Sequence, residues 1–104
     1  MTTISVKVEF SGGLELLFSN QRSHAVTIPS TDPTDSAPTN LQYLITYLRD
    51  NLLKERVELF VENETVRPGI LVLVNDTDWE LEGEGDYVLK DGDEIVFIST
   101  LHGG

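Results

Sequence analysis

The sequence predicts an α+β domain, in which one main amphipathic helix packs on one face of a mixed sheet of four to five strands. Three observations carry this prediction. Several short segments are rich in β-branched and aromatic residues and are separated by turn residues. One segment has apolar residues at helical spacing. The chain of 104 residues has room for one domain with a single two-layer core.

The first strand is predicted at residues 4–10, because apolar and polar residues alternate there as in a strand with one buried face. Residues 11–13 are typical of a turn, and the apolar residues 14–18 are predicted to run back as the second strand of a hairpin. Residues 25–28 are also β-prone. We expect them either to extend the second strand or to resume it after a loop, and Pro29 to end it.

The helix is predicted to follow a surface loop at residues 29–40, which holds three prolines among many Ser, Thr, Asp and Asn residues. Thr39 or Asn40 can cap its first turn. The apolar stripe consists of Leu41, Leu44, Ile45, Leu48 and Leu52. This stripe predicts three or four helical turns, with Tyr43 and Tyr47 packed along its flank.

Further strands are predicted in the C-terminal half. Residues 70–74 form an uninterrupted apolar run, which suits a strand covered on both faces. Trp79 and Leu81 begin a short return strand. After a turn at residues 91–93, residues 95–99 are β-branched or aromatic at most positions and predict the last strand.

Composition argues against several classes of function. Seven Lys and Arg residues against eighteen Asp and Glu residues give a net charge of −11. This charge opposes direct binding to nucleic acid, predicts a monomer and suits a basic protein partner, although solubility alone explains it equally well. The absence of cysteine excludes disulfides and thiolate sites. Without a secretory leader or an apolar run near the ~18 residues of a membrane span, we expect a cytoplasmic protein.

Neither a metal site nor a catalytic site is predicted. Residues 91–94 are rich in carboxylates but lack the spacing of a calcium-binding loop. His24 and His102 are far apart in the sequence and have no nucleophile as a partner. We therefore expect no bound cofactor and no enzymatic activity.

The chain ends in a predicted flexible tail, residues 101–104, after a domain at residues 1–100. Gly103 and Gly104 have no side chains to anchor them and lose more backbone entropy on ordering than other residues. A thin peptide with a free carboxylate can enter a channel where a Cβ would clash. Because the tail follows a strand that looks central, the sequence favours a functional tail over an expression remnant.

Four segments carry a family resemblance, at residues 51–56, 66–76, 78–81 and 97–104. They resemble the ubiquitin-related modifier family of eukaryotic sulfur carriers, which implies a ubiquitin-like β-grasp fold. The resemblance runs over nearly the whole chain; the loop at 29–40 is longer and richer in proline than expected. The family is similar in turn to the small subunit of molybdopterin synthase and to the thiamine-pathway sulfur carrier.

The resemblance implies that Gly104 carries the chemistry. In this family an activating enzyme, with adenylation and rhodanese-like sulfur-transfer activity, uses ATP to convert the terminal carboxylate to an acyl-adenylate and then to a thiocarboxylate. The sulfur passes to the machinery that 2-thiolates wobble uridine in certain tRNAs. The modifier is also joined to lysines of target proteins. Leu101, His102 and Gly103 would then serve in recognition of the tail.

A docking patch is predicted on the sheet. The last strand is apolar on both of its faces, so one face packs against the helix and the other is exposed or lightly covered. By analogy with β-grasp modifiers, Leu71, Leu73, Val96 and Ile98 would dock on the activating enzyme; packing under loops is the alternative. Two other functions stay open, a permanent subunit of a sulfur-transfer complex and a ubiquitin-like binding module with a silent tail.

Overall fold

A computed structural model describes residues 2–54 and 56–100 of the chain. Within these ranges there are one α-helix and seven strands: β1 (Thr3–Ser11), β2 (Ser23–Pro29), α1 (Leu41–Asn51), β3 (Val61–Glu62), β4 (Thr65–Val66), β5 (Ile70–Val74), β6 (Thr77–Asp78) and β7 (Glu94–Ser99). Short 3-10 helices lie at Leu14–Leu17, Val57–Leu59, Trp79–Glu82 and Glu84–Asp86.

Five of the strands form one mixed sheet in the order β2-β1-β7-β5-β6, whereas β3 and β4 pair in a separate ribbon. β1 pairs with β2 in antiparallel and with β7 in parallel orientation. β7 pairs with β5 in antiparallel orientation on its other side. The last strand is therefore the central one. The predicted α+β architecture, with a five-stranded mixed sheet and one main helix, is confirmed.

The core lies between α1 and one face of the sheet. The helix buries Leu41, Leu44, Ile45 and Leu48, while Leu52 packs against the core from its edge. An aromatic cluster fills the centre: the rings of Phe10 and Phe18 stack with centroids 3.8 Å apart, and Phe60 meets Phe97 edge-on at 5.5 Å. These rings join the central strands to the segments that precede and follow the helix.

The helix begins where the sequence predicts. Asn40 is its N-cap, because the Asn40 side-chain oxygen accepts a hydrogen bond from Tyr43 N at 2.9 Å. Tyr43 and Tyr47 are partly buried against the core, as expected for the flank of the helix. Residues 30–40, between β2 and the helix, contain no helix or named strand; they form isolated bridges between Thr31 and Pro38 and between Asn40 and Val88.

The predicted first hairpin is right in its first strand, and its second strand is right at residues 25–28 but wrong at residues 14–18. Residues 14–18 do not form a strand; β2 begins at Ser23, and Leu14–Leu17 is a 3-10 helix. Leu14 and Leu17 are buried, whereas Leu16 is 60% exposed. The apolar residues therefore follow the spacing of a 3-10 turn rather than the alternation of a strand.

The predicted return strand at Trp79 and Leu81 is also wrong. Strand pairing ends at β6, and Trp79–Glu82 forms a 3-10 helix. The Asp78 carboxylate accepts a hydrogen bond from Glu80 N at 2.9 Å and so caps this helix. Trp79 is buried and Leu81 is exposed.

A buried carboxylate fixes the turn before β7. The Asp93 carboxylate accepts hydrogen bonds from Asn75 Nδ2 at 3.0 Å, Tyr87 OH at 2.8 Å and Lys90 N at 2.9 Å. Asn75 Oδ1 in turn accepts a bond from Glu94 N at 2.9 Å. The network ties the β5–β6 turn to the first residue of the central strand.

Replacing this carboxylate should destabilise the fold. Asp93→Ala removes the acceptor of three donors at a largely buried site, so we expect the free energy of unfolding to fall by roughly 2–4 kcal/mol. Asp91→Ala is the matched control. It removes one exposed bond to Ser5 N and is expected to lower that free energy by less than about 1 kcal/mol. Urea denaturation measures both, and equal losses would contradict the special role of Asp93.

Stability should also fall at alkaline pH. Burial, assisted by the hydrogen bond to Asp93, raises the pKa of Tyr87 from 10.0 to about 12. The unfolded chain therefore loses this proton at a lower pH than the folded chain. The stability that comes from the neutral phenol is complete below pH 10 and is lost as the pH rises to about 12.

Tyr87→Phe isolates this contribution, because the variant has no phenol to ionise at that position. Over the same pH range its unfolding free energy, measured by urea denaturation, should fall less than that of the wild type. The same fall in both proteins would show that Tyr87 does not carry the effect.

Candidate functional site

The four tail residues that were predicted to carry the chemistry, Leu101, His102, Gly103 and Gly104, lie outside the described residues. The division into a domain at residues 1–100 and a tail at 101–104 therefore stays a prediction. The structure does describe the place from which the chain continues, and it describes the predicted docking patch.

The chain leaves the sheet at the end of its central strand. Thr100 N donates a hydrogen bond to Gly69 O at 2.9 Å, and the Thr100 hydroxyl donates to the same oxygen. On the opposite side, β1 accompanies β7 as far as the pairing of Ser11 with Ile98. Ser99 and Thr100, which we term the tail root, therefore lie between two neighbouring strand ends.

The four residues of the docking patch lie side by side on the sheet face opposite the helix. Val96 and Ile98 alternate with buried residues along β7, and Leu71 and Leu73 do so along β5; all four are half-buried. Leu71 is paired with Ile98, and Leu73 with Val96. They form two adjacent cross-strand pairs, which is the arrangement that lets side chains of neighbouring strands pack together.

Acidic residues border the docking patch. Glu9 is opposite Val96 on β1, and Asp78 is opposite Leu73 on β6. Lys7 Nζ lies 3.3 Å from the Glu9 carboxylate in an exposed ion pair, which contributes little to stability. An apolar centre with a charged rim is typical of a protein interface. The sequence alone did not reveal this rim, because it depends on strand register.

His24, the histidine among the described residues, packs at the edge of the aromatic cluster. His24 Nε2 lies 3.0 Å from Gln21 O, and the His24 ring meets Phe10 edge-on. Among residues 2–54 and 56–100, no three His, Cys, Asp or Glu side chains are placed to hold a metal ion. The one α-helix within those ranges is too short and too polar to cross a membrane.

The chain matches the family model described as Urm1 (Ubiquitin related modifier) over residues 5–104. It belongs to the Urm1 family. Ubiquitin-related modifier 1 of Coprinopsis cinerea is 68% identical over 117 residues, and the alignment covers 99% of this chain and 94% of that relative. The resemblance noted in the four sequence segments is therefore confirmed.

Solved structures agree with this family assignment. The solution structure of Urm1 from Trypanosoma brucei is 48% identical and has a TM-score of 0.77, with 100% of this chain and 99% of that chain covered. The small archaeal modifier protein 1 of Methanosarcina acetivorans is 16% identical with a TM-score of 0.72, and the alignment covers 100% of both chains. At that identity the second likeness shows the fold alone, which is the ubiquitin-like β-grasp.

Membership of the Urm1 family establishes a ubiquitin-like modifier and sulfur carrier, which is not an enzyme. It implies an activating enzyme and target proteins, and it is consistent with a cytoplasmic location. The match of the family model runs from residue 5 to Gly104, so it includes the four tail residues.

Proposed function

We propose that this Urm1-family chain carries sulfur as a thiocarboxylate on Gly104 and is joined through the same residue to lysines of target proteins. The sulfur goes to the machinery that 2-thiolates wobble uridine in tRNA. The observation that carries the proposal is the family match, which extends to the last residue of the sequence.

The chemistry requires an activated carboxyl group, because a carboxylate is a poor electrophile. An oxygen of the Gly104 carboxylate attacks the α-phosphorus of ATP on the activating enzyme, which forms an acyl-adenylate and releases pyrophosphate. The terminal sulfur of an enzyme persulfide then attacks the acyl carbon, and AMP leaves. A second enzyme thiol attacks the cysteine sulfur of the resulting acyl disulfide. The sulfur–sulfur bond that came from the persulfide breaks, the thiocarboxylate leaves, and a disulfide remains on the enzyme.

Conjugation uses the same activated carbon. The amine of a target lysine attacks the acyl carbon of the Gly104 adenylate. AMP leaves, and an isopeptide bond forms. ATP is thus a substrate of the activating enzyme, and the modifier itself binds no cofactor. The thiolation machinery, rather than the modifier, contacts the tRNA, since the net charge of −11 opposes direct contact of the modifier with phosphates.

The composition of the chain suits a sulfur carrier. It has no cysteine, so it cannot form a mixed or internal disulfide with the persulfide that it meets. Sulfur can therefore be held covalently at the C-terminus without a competing thiol on the carrier.

The docking patch would supply the binding free energy for activation. Its four apolar side chains are half-buried in the free chain, so contact with a partner removes further apolar surface from water. Its acidic rim fits a basic surface on the activating enzyme.

Mass spectrometry tests the proposed chemistry. Incubation with ATP, an activating enzyme and a persulfide donor should raise the intact mass by the difference between sulfur and oxygen, in the peptide ending at Gly104. Deleting Gly104 should abolish this gain and leave the melting temperature unchanged, because the described pairing of β7 ends at Thr100.

An unchanged mass, with an enzyme shown to be active on another family member, would instead favour a binding module with a silent tail. Retained activation after deletion of Gly104 would refute its role. Permanent co-purification with a larger sulfur-transfer enzyme would favour the complex-subunit alternative.

A matched pair of valines tests the docking patch. Val96→Ser removes an apolar contact from its centre and should raise the KM of activation roughly five- to tenfold, with little change in kcat. Val57→Ser is the control, because Val57 is 44% exposed and lies in a 3-10 helix outside the sheet. Steady-state ATP–pyrophosphate exchange measures both variants. Equal KM values for the two would exclude the patch as the docking surface.

A further inference from the structure

Gly12 lies against the tail root. A Cβ built on Gly12 would lie 2.3 Å from Ser99 O, 3.0 Å from Ser99 N and 3.1 Å from Ser99 C. All three atoms belong to the backbone, so no change of rotamer could relieve the contact. Gly12 also has a φ of +71°, in the left-handed region that favours glycine. The end of β1 can approach the end of β7 this closely only without a side chain at residue 12.

The tail root is held from the other side as well. Gly69 O accepts hydrogen bonds from both the backbone nitrogen and the hydroxyl of Thr100. We term the approach of Gly12 to Ser99 and the bonds of Thr100 to Gly69 the root clasp. The root clasp comes from two different strand ends, β1 and β5, so it fixes the direction in which the central strand ends.

The direction of the tail root matters because the reacting atom is remote from it. Four residues separate Thr100 from the end of the chain, and four extended residues span at most ~14 Å. With the tail held extended in a channel, a rotation of about 15° at the root would displace the terminal carboxylate by roughly 4 Å. A misplacement of only about 1 Å is enough to slow a reaction by two orders of magnitude.

The docking patch and the tail root share one strand. Ile98 belongs to the patch and precedes Ser99 directly, while its partner Leu71 is two residues beyond Gly69. When the patch docks, the root is placed at a fixed position on the partner. The tail can then reach the reacting phosphate only if the root points into the channel.

We propose that Gly12 is a positioning residue for the activation of Gly104: it lets β1 brace the tail root, and with the Gly69–Thr100 bonds this brace aims the tail at the adenylation site. This step rests on the proposed function. A side chain at residue 12 separates β1 from Ser99, whichever of the two backbones moves. No side chain of the docking patch is replaced, so the change should act mainly on kcat and leave KM nearly unaltered.

Gly12→Ala and Gly13→Ala form a matched pair. Gly13 has a φ of +103°, so alanine is strained there too, but no atom of the described residues lies within 4 Å of a Cβ built on Gly13. Both variants should lower the melting temperature. In ATP–pyrophosphate exchange, we expect Gly12→Ala to lower kcat at least about tenfold with KM within about twofold, and Gly13→Ala to alter neither by more than about twofold. Equal kcat values in the two variants would overturn the proposal.

If Gly12→Ala does not fold, a pair of Thr100 variants tests the root clasp instead. Thr100→Val removes the hydroxyl that donates to Gly69 O, whereas Thr100→Ser keeps it. The valine variant should lower kcat, and the serine variant should retain the wild-type value. Wild-type kcat in both would overturn the proposal.

The exchange assay distinguishes failure of the proposed function from failure of the role of Gly12. If the wild-type chain supports no exchange with an enzyme that is active on another family member, the proposed function is refuted, and the role of Gly12 with it. Equal, non-zero kcat values across the variants refute the role of Gly12 alone.

Discussion

The structure depends on the pairing of β7 with a neighbour on each side. β1 runs parallel to it and β5 antiparallel, so its backbone donors and acceptors have ladder partners in both directions. Asp93 anchors its beginning through three hydrogen bonds, and the root clasp holds its end. A chain end that would otherwise fray is therefore fixed as far as Thr100.

The two faces of β7 differ in burial. Ile95 and Phe97 are fully buried against the helix side, whereas Val96 and Ile98 remain half-buried on the other face. The inner face supplies the core, so the outer face can stay apolar without being needed for folding. The net charge of −11 opposes self-association, because two copies would bring like charges together.

Elements with a clear periodic or continuous apolar pattern could be predicted from the sequence, including the strands at residues 70–74 and 95–99, whereas two shorter apolar segments could not. The alternation in β1 and the stripe and Asn40 cap of α1 are local signals, and both were right. Leu14–Leu17 and Trp79–Glu82 are four residues each, too short to tell a strand from a 3-10 turn. The acidic rim and the root clasp join distant residues, such as Gly12 and Ser99, so no local pattern contains them.

In the proposed function, docking is assigned to the outer face of β5 and β7, and the chemistry to Gly104, which follows β7 in the sequence. A glycine tail loses conformational entropy when it enters a channel, and contacts of the tail alone must offset that loss. The docking patch, on rigid strands beside the root, contributes binding free energy without such ordering. Binding free energy gained there holds the modifier on its partner, while the root clasp sets the direction of the tail. Substitutions on the outer face can thus change the choice of partner while the chemistry at Gly104 stays the same.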